Sequence, residues 1–95
     1  MPLAARIGDQ GSGHGCFPPH MIITGVPKVI IQGMPAATLS DMLMPHICGL
    51  LVHPGNIANG SSKVMISGKP AARIGDMVSC GSIIMTGASK VVIGG

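Results

Sequence analysis

Residues 71–76 read Ala71-Ala72-Arg73-Ile74-Gly75-Asp76, and residues 4–9 spell the same six, Ala4-Ala5-Arg6-Ile7-Gly8-Asp9. A looser copy, Ala36-Ala37-Thr38-Leu39-Ser40-Asp41, stands between them. A second phrase also occurs three times, as Gly25-x-x-Lys28-Val29, Gly60-x-x-Lys63-Val64 and Gly87-x-x-Lys90-Val91. Self-similarity of this kind governs architecture ahead of local propensity, because equivalent units build equivalent structure and bury their apolar faces on one another. All three acidic residues, Asp9, Asp41 and Asp76, fall at one repeat position. Three of the six basic residues, Lys28, Lys63 and Lys90, fall at another.

Working outward, each cycle reads as an Ala-Ala-x-x-x-Asp strand, a loop of variable length, and a β-branched return strand. The returns are Lys28-Val29-Ile30-Ile31, Lys63-Val64-Met65-Ile66 and Lys90-Val91-Val92-Ile93. Short Val/Ile-rich runs bounded by glycine are strand signals. Gly33-Met34-Pro35 and Gly68-Lys69-Pro70 mark turns, since glycine permits positive φ and proline restricts it. No apolar period of 3.6 residues is sustained, so long helices are not expected, with one short turn at most over Asp41–Met44. The expected fold is all-β, with pseudo-threefold symmetry from the three cycles. The turns would lie at one end of the axis and the variable loops at the other.

Composition narrows the function classes. The chain of 95 residues is 46% hydrophobic with a single aromatic residue, Phe17. A core without large aromatics is marginal at this size, and small domains of this kind use a metal, a disulfide or a partner as reinforcement. Gly and Pro make up about a quarter of the residues, but the regular Val/Ile runs and low charge argue against disorder. A net charge of +3 spread over 9% charged residues, with no Lys/Arg cluster and no interleaved aromatics, argues against nucleic-acid binding. So apolar a surface points instead to one covered by a partner. Met1–Gln10 has no apolar h-region, and no run approaches the roughly 18 apolar residues of a membrane span. The expectation is a protein that starts in the cytoplasm and, if it leaves, is exported by something other than the general secretory route.

The chemistry-bearing residues gather in the loops. His14 and His46 each stand five residues after a repeat Asp, and Cys80 four after the third. His53 and Cys80 each stand seven before a repeat Gly. Threefold register therefore brings His14, His46 and Cys80 toward the axis, with His53 joining from the longest loop. Three imidazoles and a thiolate make a closed tetrahedral set suited to one structural Zn²⁺ per chain, with no open position for a catalytic water. His20 and Cys48 compete for places in that set. Cys16 and Cys48 are read as small buried apolar thiols, with pairing under oxidation as the alternative. A catalytic Cys–His pair needs an activated thiol and an oriented base. The only acids sit where Arg6 and Arg73 would pair with them, so no enzyme activity is expected. Met42, Met44 and Met65 are read as adaptable core filler, with an apolar docking face as the alternative.

These residues carry a family resemblance. Pro70-Ala71-Ala72-Arg73 is the literal motif of the PAAR-repeat proteins, and nearly the whole chain resembles that family. Further matching stretches are Gly13-His14-Gly15-Cys16-Phe17-Pro18-Pro19, Val29-Ile30-Ile31-Gln32-Gly33-Met34-Pro35, Asp76-Met77-Val78-Ser79-Cys80-Gly81 and Gly87-Ala88-Ser89-Lys90-Val91-Val92-Ile93-Gly94. The middle copy departs from the pattern, with Thr38 in place of Arg and Ser40 in place of Gly. The resemblance implies a three-sided, conical or pyramidal β structure, a pointed cap on the blunt end of a trimeric β-helical spike, the VgrG protein of a type VI secretion system or the spike of a contractile phage tail. One tip would serve each trimer, sharpening it for membrane piercing and effector delivery into a target cell. It also implies a zinc held by three His and one Cys, which by motif are His14, His46, His53 and Cys80. Residues 1–95 read as a single PAAR domain without a fused effector, so any cargo would bind noncovalently. The rival readings are a standalone metal-binding or thiol enzyme and a structural protein assembling through its own strand edges.

Overall fold

The three Ala-Ala dipeptides meet, because only a methyl side chain lets three backbones approach so closely. Ala5 N–H donates to the Ala72 carbonyl, Ala72 N–H to Ala37, and Ala37 N–H to Ala5, each at 3.0 Å. A closed ring of three backbone hydrogen bonds thus joins the three copies in the computed structural model, which describes residues 2–95. Around the ring the copies touch through single antiparallel bridges, Ala4↔Arg73, Arg6↔Ala36 and Thr38↔Ala71. The dipeptides were expected to lie in strands; Ala36 ends a short strand, but Ala4 and Ala71 form only single bridges, because the turn at each following Asp bends the backbone away after two or three residues.

That turn is the same in all three copies. Asp9 Oδ2 accepts from Arg6 N–H at 2.8 Å, and Asp41 and Asp76 accept from Thr38 and Arg73 N–H, both at 2.7 Å. The residue before each Asp has positive φ: Gly8 (95°), Ser40 (76°) and Gly75 (93°). The Arg6 and Arg73 side chains close ion pairs with their own Asp at 3.1 and 2.9 Å. Thr38 has no guanidinium, but its fully buried hydroxyl donates to Asp41 Oδ2 at 2.8 Å, so the middle copy holds its turn without a cation.

The second carboxylate oxygen reaches across to another copy. Thr86 Oγ1 donates to Asp9, Thr24 Oγ1 to Asp41, and Asn59 Nδ2 to Asp76, at 2.9 to 3.0 Å. Each of these residues precedes one of the repeat glycines, and each glycine faces a carbonyl of the neighbouring copy. A Cβ on Gly25 would lie 2.6 Å from the Ala36 oxygen, one on Gly87 2.7 Å from that of Ala4, and one on Gly60 2.8 Å from that of Ala71. Those approaches are shorter than van der Waals contact. Gly25→Ala is therefore expected to cost about 1–3 kcal/mol as overpacking against backbone, whereas Gly15→Ala meets no neighbouring atom and pays only for its positive φ. Chemical denaturation of the two variants at equal m value checks the contrast.

Eight short strands pair antiparallel in twos, and no helix occurs among the described residues. β1 (Gln10–Gly11) pairs β2 (His20–Met21), β3 (Val26–Ile31) pairs β4 (Met34–Ala36), β5 (Met42–Cys48) pairs β6 (Leu51–Asn56), and β7 (Met65–Ile66) pairs β8 (Lys69–Pro70). Two tight hairpins use loops with positive φ at both positions, Gln32-Gly33 and Ser67-Gly68. That is the geometry that matches strand twist.

Three local expectations are corrected. The second return strand is cut to Met65–Ile66, because the Ser61 hydroxyl accepts from Lys63 and Val64 N–H at 3.1 and 2.9 Å and bends that stretch. The third return is no strand but a bridge, Leu3↔Val92, that ties the C-terminal run to residues 2–4. The loop after Asp41 is in fact the longest hairpin, β5–β6, and the turn lies at residues 39–40 rather than over Asp41–Met44. Pro45 and Pro54 masked it, since proline within a run reads as non-strand. A register shift between Leu43 and His46 accommodates them.

The core has two layers, one on each side of the alanine ring. On the loop side, Ile22, Leu43, Ile57, Val78 and Ile84 pack over Ala5, Ala37 and Ala72, with Cys80 against them. On the return side, Ile31, Ile66 and Ile93 pack with Ala4, Ala36, Ala71 and Ala88. The molecule measures 38 × 23 × 23 Å, with two equal short axes.

Candidate metal centre

Two structures carry the histidines over the loop-side core. The first is a tight turn in which His14 and Phe17 exchange backbone hydrogen bonds of 3.0 and 2.9 Å. The second is the β5–β6 hairpin, whose antiparallel register places His46 directly opposite His53. Opposed residues of an antiparallel pair project on the same face, so this register alone brings two imidazoles together.

His14, His46 and His53 come together, with one ligand atom of each lying within 4.8 Å of the others, so the group can hold a metal ion. His14 Nε2, His46 Nε2 and His53 Nδ1 are buried and have no hydrogen-bond partner. A buried ring nitrogen without a partner is costly, and three in one cluster mark a site built for something that accepts their lone pairs. The other nitrogen of His46 hydrogen-bonds the Pro18 carbonyl at 2.8 Å. A carbonyl accepts only from N–H, so Nδ1 carries the proton and Nε2 presents its lone pair. This outer contact is of the kind that orients a metal-bound histidine.

A second group, His20, His46 and Cys80, meets the same distance criterion and shares His46 with the first. Its members are already engaged. His20 Nδ1 lies 2.7 Å from the Met44 carbonyl and Nε2 3.0 Å from Ser82 Oγ. Cys80 Sγ lies 3.4 Å from Ser82 Oγ and 3.9 Å from His20 Nε2. The His20 ring stacks on His46 with centroids 3.9 Å apart and planes 6° from parallel. Of the four residues expected to bind metal, the structure thus gathers the three histidines and places Cys80 beside them, next to His46.

Burial lowers the pKa of His20, and the neighbouring His46 and His14 lower it further, against the opposing pull of the Met44 carbonyl. A lowered folded value means that the unfolded chain binds the proton more readily. The stabilisation is thus complete above the ordinary histidine value of 6.5 and is lost as pH falls through the depressed value of the folded state. The metal-free chain is expected to melt at lower temperature near pH 5 than near pH 7.5, with His20→Gln flattening that dependence.

Several residues of the site escaped the sequence reading. Phe17 stacks on His53 at 3.8 Å and lies within 5.1 Å of both other rings, so the only aromatic residue of the chain roofs the histidines. Ser82, fully buried, links His20 to Cys80. Cys16 and Cys48 form a disulfide, and Cys16 is exposed and Cys48 half-buried. The reading of both as buried thiols is therefore corrected: each sits at a turn of the loop end, where no apolar layer covers it.

Charge is sorted along the molecule. Residues 10–27, 42–62 and 77–89, the three loops, contain no Asp, Glu, Lys or Arg at all. At the apex of β5–β6, Ile47, Leu50, Leu51 and Val52 are exposed, Leu50 fully. All three carboxylates are spent in the repeat turns, so no acid stands near the histidines to act as a base or orient one.

The family described as PAAR motif matches residues 13–86 of the chain. No curated protein matches it.

Proposed function

The chain belongs to the PAAR-motif family, and from that premise we propose that it is the tip of a trimeric β-helical spike, the VgrG protein of a type VI secretion system, with one tip on each trimer. The observation that carries the reading is the threefold repetition of contacts around the alanine ring, joined to a metal-competent histidine cluster on one side of it. A pseudo-threefold arrangement lets a single chain address three equivalent strand ends, each of which invites continuation by another chain.

The return side supports this. Ile30, Met65 and Val92 occupy the same repeat position, two residues after Lys28, Lys63 and Lys90, and all three are about half exposed (56, 59 and 49%). The next residues, Ile31, Ile66 and Ile93, point into the core. Three apolar side chains at equivalent positions suit a threefold apolar partner. The loop side, free of charge and ending in an aliphatic hairpin apex, suits transient entry into a target membrane, since no ion has to be desolvated.

On this reading the three histidines bind Zn²⁺ with Cys80 as the fourth ligand, its thiol turning from Ser82 toward His46. The metal joins loops distant in sequence and acts structurally rather than catalytically. Assembly takes place in the cytoplasm, and the contractile apparatus delivers the tip.

Copurification with the spike tests the partner. The expected product is a monodisperse complex of three spike chains and one tip, lost with Met65→Glu. A tip that stays free at micromolar concentration, or that assembles with itself in sedimentation, overturns the reading.

A further inference from the structure

The metal reading leaves Cys16 and Cys48 unused. Their disulfide spans 32 residues of sequence with the Cα atoms 5.5 Å apart, well inside the separation that disulfides adopt. Cys16 lies in the turn between His14 and Phe17. Cys48 is the last residue of β5, before the Gly49-Leu50 turn and opposite Leu51. The bond therefore ties the turn that carries His14 to the hairpin that carries His46 and His53. The exposed position of Cys16 and the half-exposed one of Cys48 leave the pair within reach of a small molecule.

We propose that Cys16 and Cys48 are a thiol–disulfide exchange site whose oxidation state sets how firmly the three-histidine cluster keeps its metal. The proposal rests on the metal reading above and adds a covalent control to it. In the dithiol form, the first loop is held to the hairpin near the site by the Pro18–His46 and His20–Met44 hydrogen bonds, the stacking of His20 on His46 and the packing of Phe17 on His53, with no hydrogen bond to the His14 ring itself. His14 can then swing away with its turn while His46 and His53 stay paired on the hairpin. In the disulfide form, His14 leaves only if the hairpin apex moves with it.

The co-reactant is a low-molecular-weight disulfide such as oxidised glutathione. The thiolate of one cysteine attacks a sulfur of that disulfide; its S–S bond breaks, one small thiolate leaves, and a mixed disulfide forms. The second cysteine then attacks the protein sulfur of the mixed disulfide and expels the other small thiolate. Two protein thiols are oxidised, one small disulfide is reduced to two thiols, and the two protons lost by the cysteines go to the departing thiolates.

The test uses the full zinc-loaded chain, equilibrated with either oxidised or reduced glutathione. Intact mass under non-reducing conditions reads the bond, and zinc transfer to a chromogenic chelator reads retention. The oxidised chain is expected to be lighter by two hydrogens and to release zinc about tenfold more slowly, the size of effect seen when the support of a metal ligand is altered. The double variant Cys16→Ser/Cys48→Ser should release zinc at one rate under both conditions. Equal release from oxidised and reduced wild type would overturn the proposal, as would wild type whose two thiols stay open to alkylation after oxidised glutathione; neither result depends on how the variant folds. A chain holding no zinc in either state defeats the metal reading itself and this proposal with it, whereas equal release of bound zinc defeats this proposal alone.

Discussion

Replacing His46 with alanine is expected to empty the metal centre and lower the melting temperature of the zinc-loaded protein by about 20 °C. The figure follows from mass action. A ligand present at about a thousand times its dissociation constant stabilises the folded state by about 4 kcal/mol, and each kcal/mol shifts a domain of this size by about 4–8 °C. His46 is the residue to change because it stands in both ligand groups, holds its tautomer through Pro18 and is stacked on His20. The effect separates from loss of packing by repeating the melt after chelation. Metal-free wild type and metal-free His46→Ala should then differ less, by the Pro18 hydrogen bond and the stacking on His20 alone, because the buried Nε2 has no protein partner to lose. Elemental analysis should find one zinc per wild-type chain and none in the variant. Wild type that melts at the same temperature with and without a chelator would remove the staple.

Asp76→Ala should destabilise the fold by about 3–5 kcal/mol with or without metal, the cost of breaking a buried charge pair from one side. The carboxylate of Asp76 accepts four hydrogen bonds, from Arg73 N–H, Nε and Nη2 and from Asn59 Nδ2, at 2.7 to 3.2 Å. The Asp76 hydrogen bond raises the Arg73 pKa, and even without it a guanidinium stays charged, so the variant leaves that charge with its partner gone. The Asn59 contact is also one of the links between the second and third copies. Arg73→Thr is the instructive companion, since it recreates the Thr38–Asp41 turn of the middle copy and should cost far less than Asp76→Ala. Urea denaturation of the two variants checks the order; equal losses would mean that the cation, not the carboxylate, organises the turn.

The comparison of copies shows which parts of the fold were legible. Repetition of Ala-Ala and Asp was visible in the sequence, and it corresponds to the hydrogen-bonded ring and the three turns. Thr38 and Ser40 looked like a break in the pattern, yet a buried hydroxyl and a positive φ reproduce the same turn, because the contact needs a donor rather than a cation. The partners of the second carboxylate oxygen, Thr24, Asn59 and Thr86, passed unnoticed because they precede the conspicuous glycines and differ in type. The β5–β6 hairpin was hidden by its two prolines, and with it the register that sets His46 opposite His53. That pairing was reached in the sequence reading through loop counts, which brought the histidines together for a different geometric reason.

By itself the sequence determined the all-β class, the threefold recurrence of contacts, the family, and the confinement of every His and Cys to the segments between the repeat Asp and the next repeat Gly. Repeat position and composition carry these, because equivalent residues make equivalent local hydrogen bonds whatever surrounds them. Tertiary structure alone decided which loop residues face one another. It engaged both nitrogens of His20, left one nitrogen each of His14, His46 and His53 without a partner, set Phe17 over them, and brought Cys16 to Cys48. Those outcomes depend on distances between residues 24 to 62 positions apart, fixed by hairpin register and by the packing of three unequal segments on one shared core.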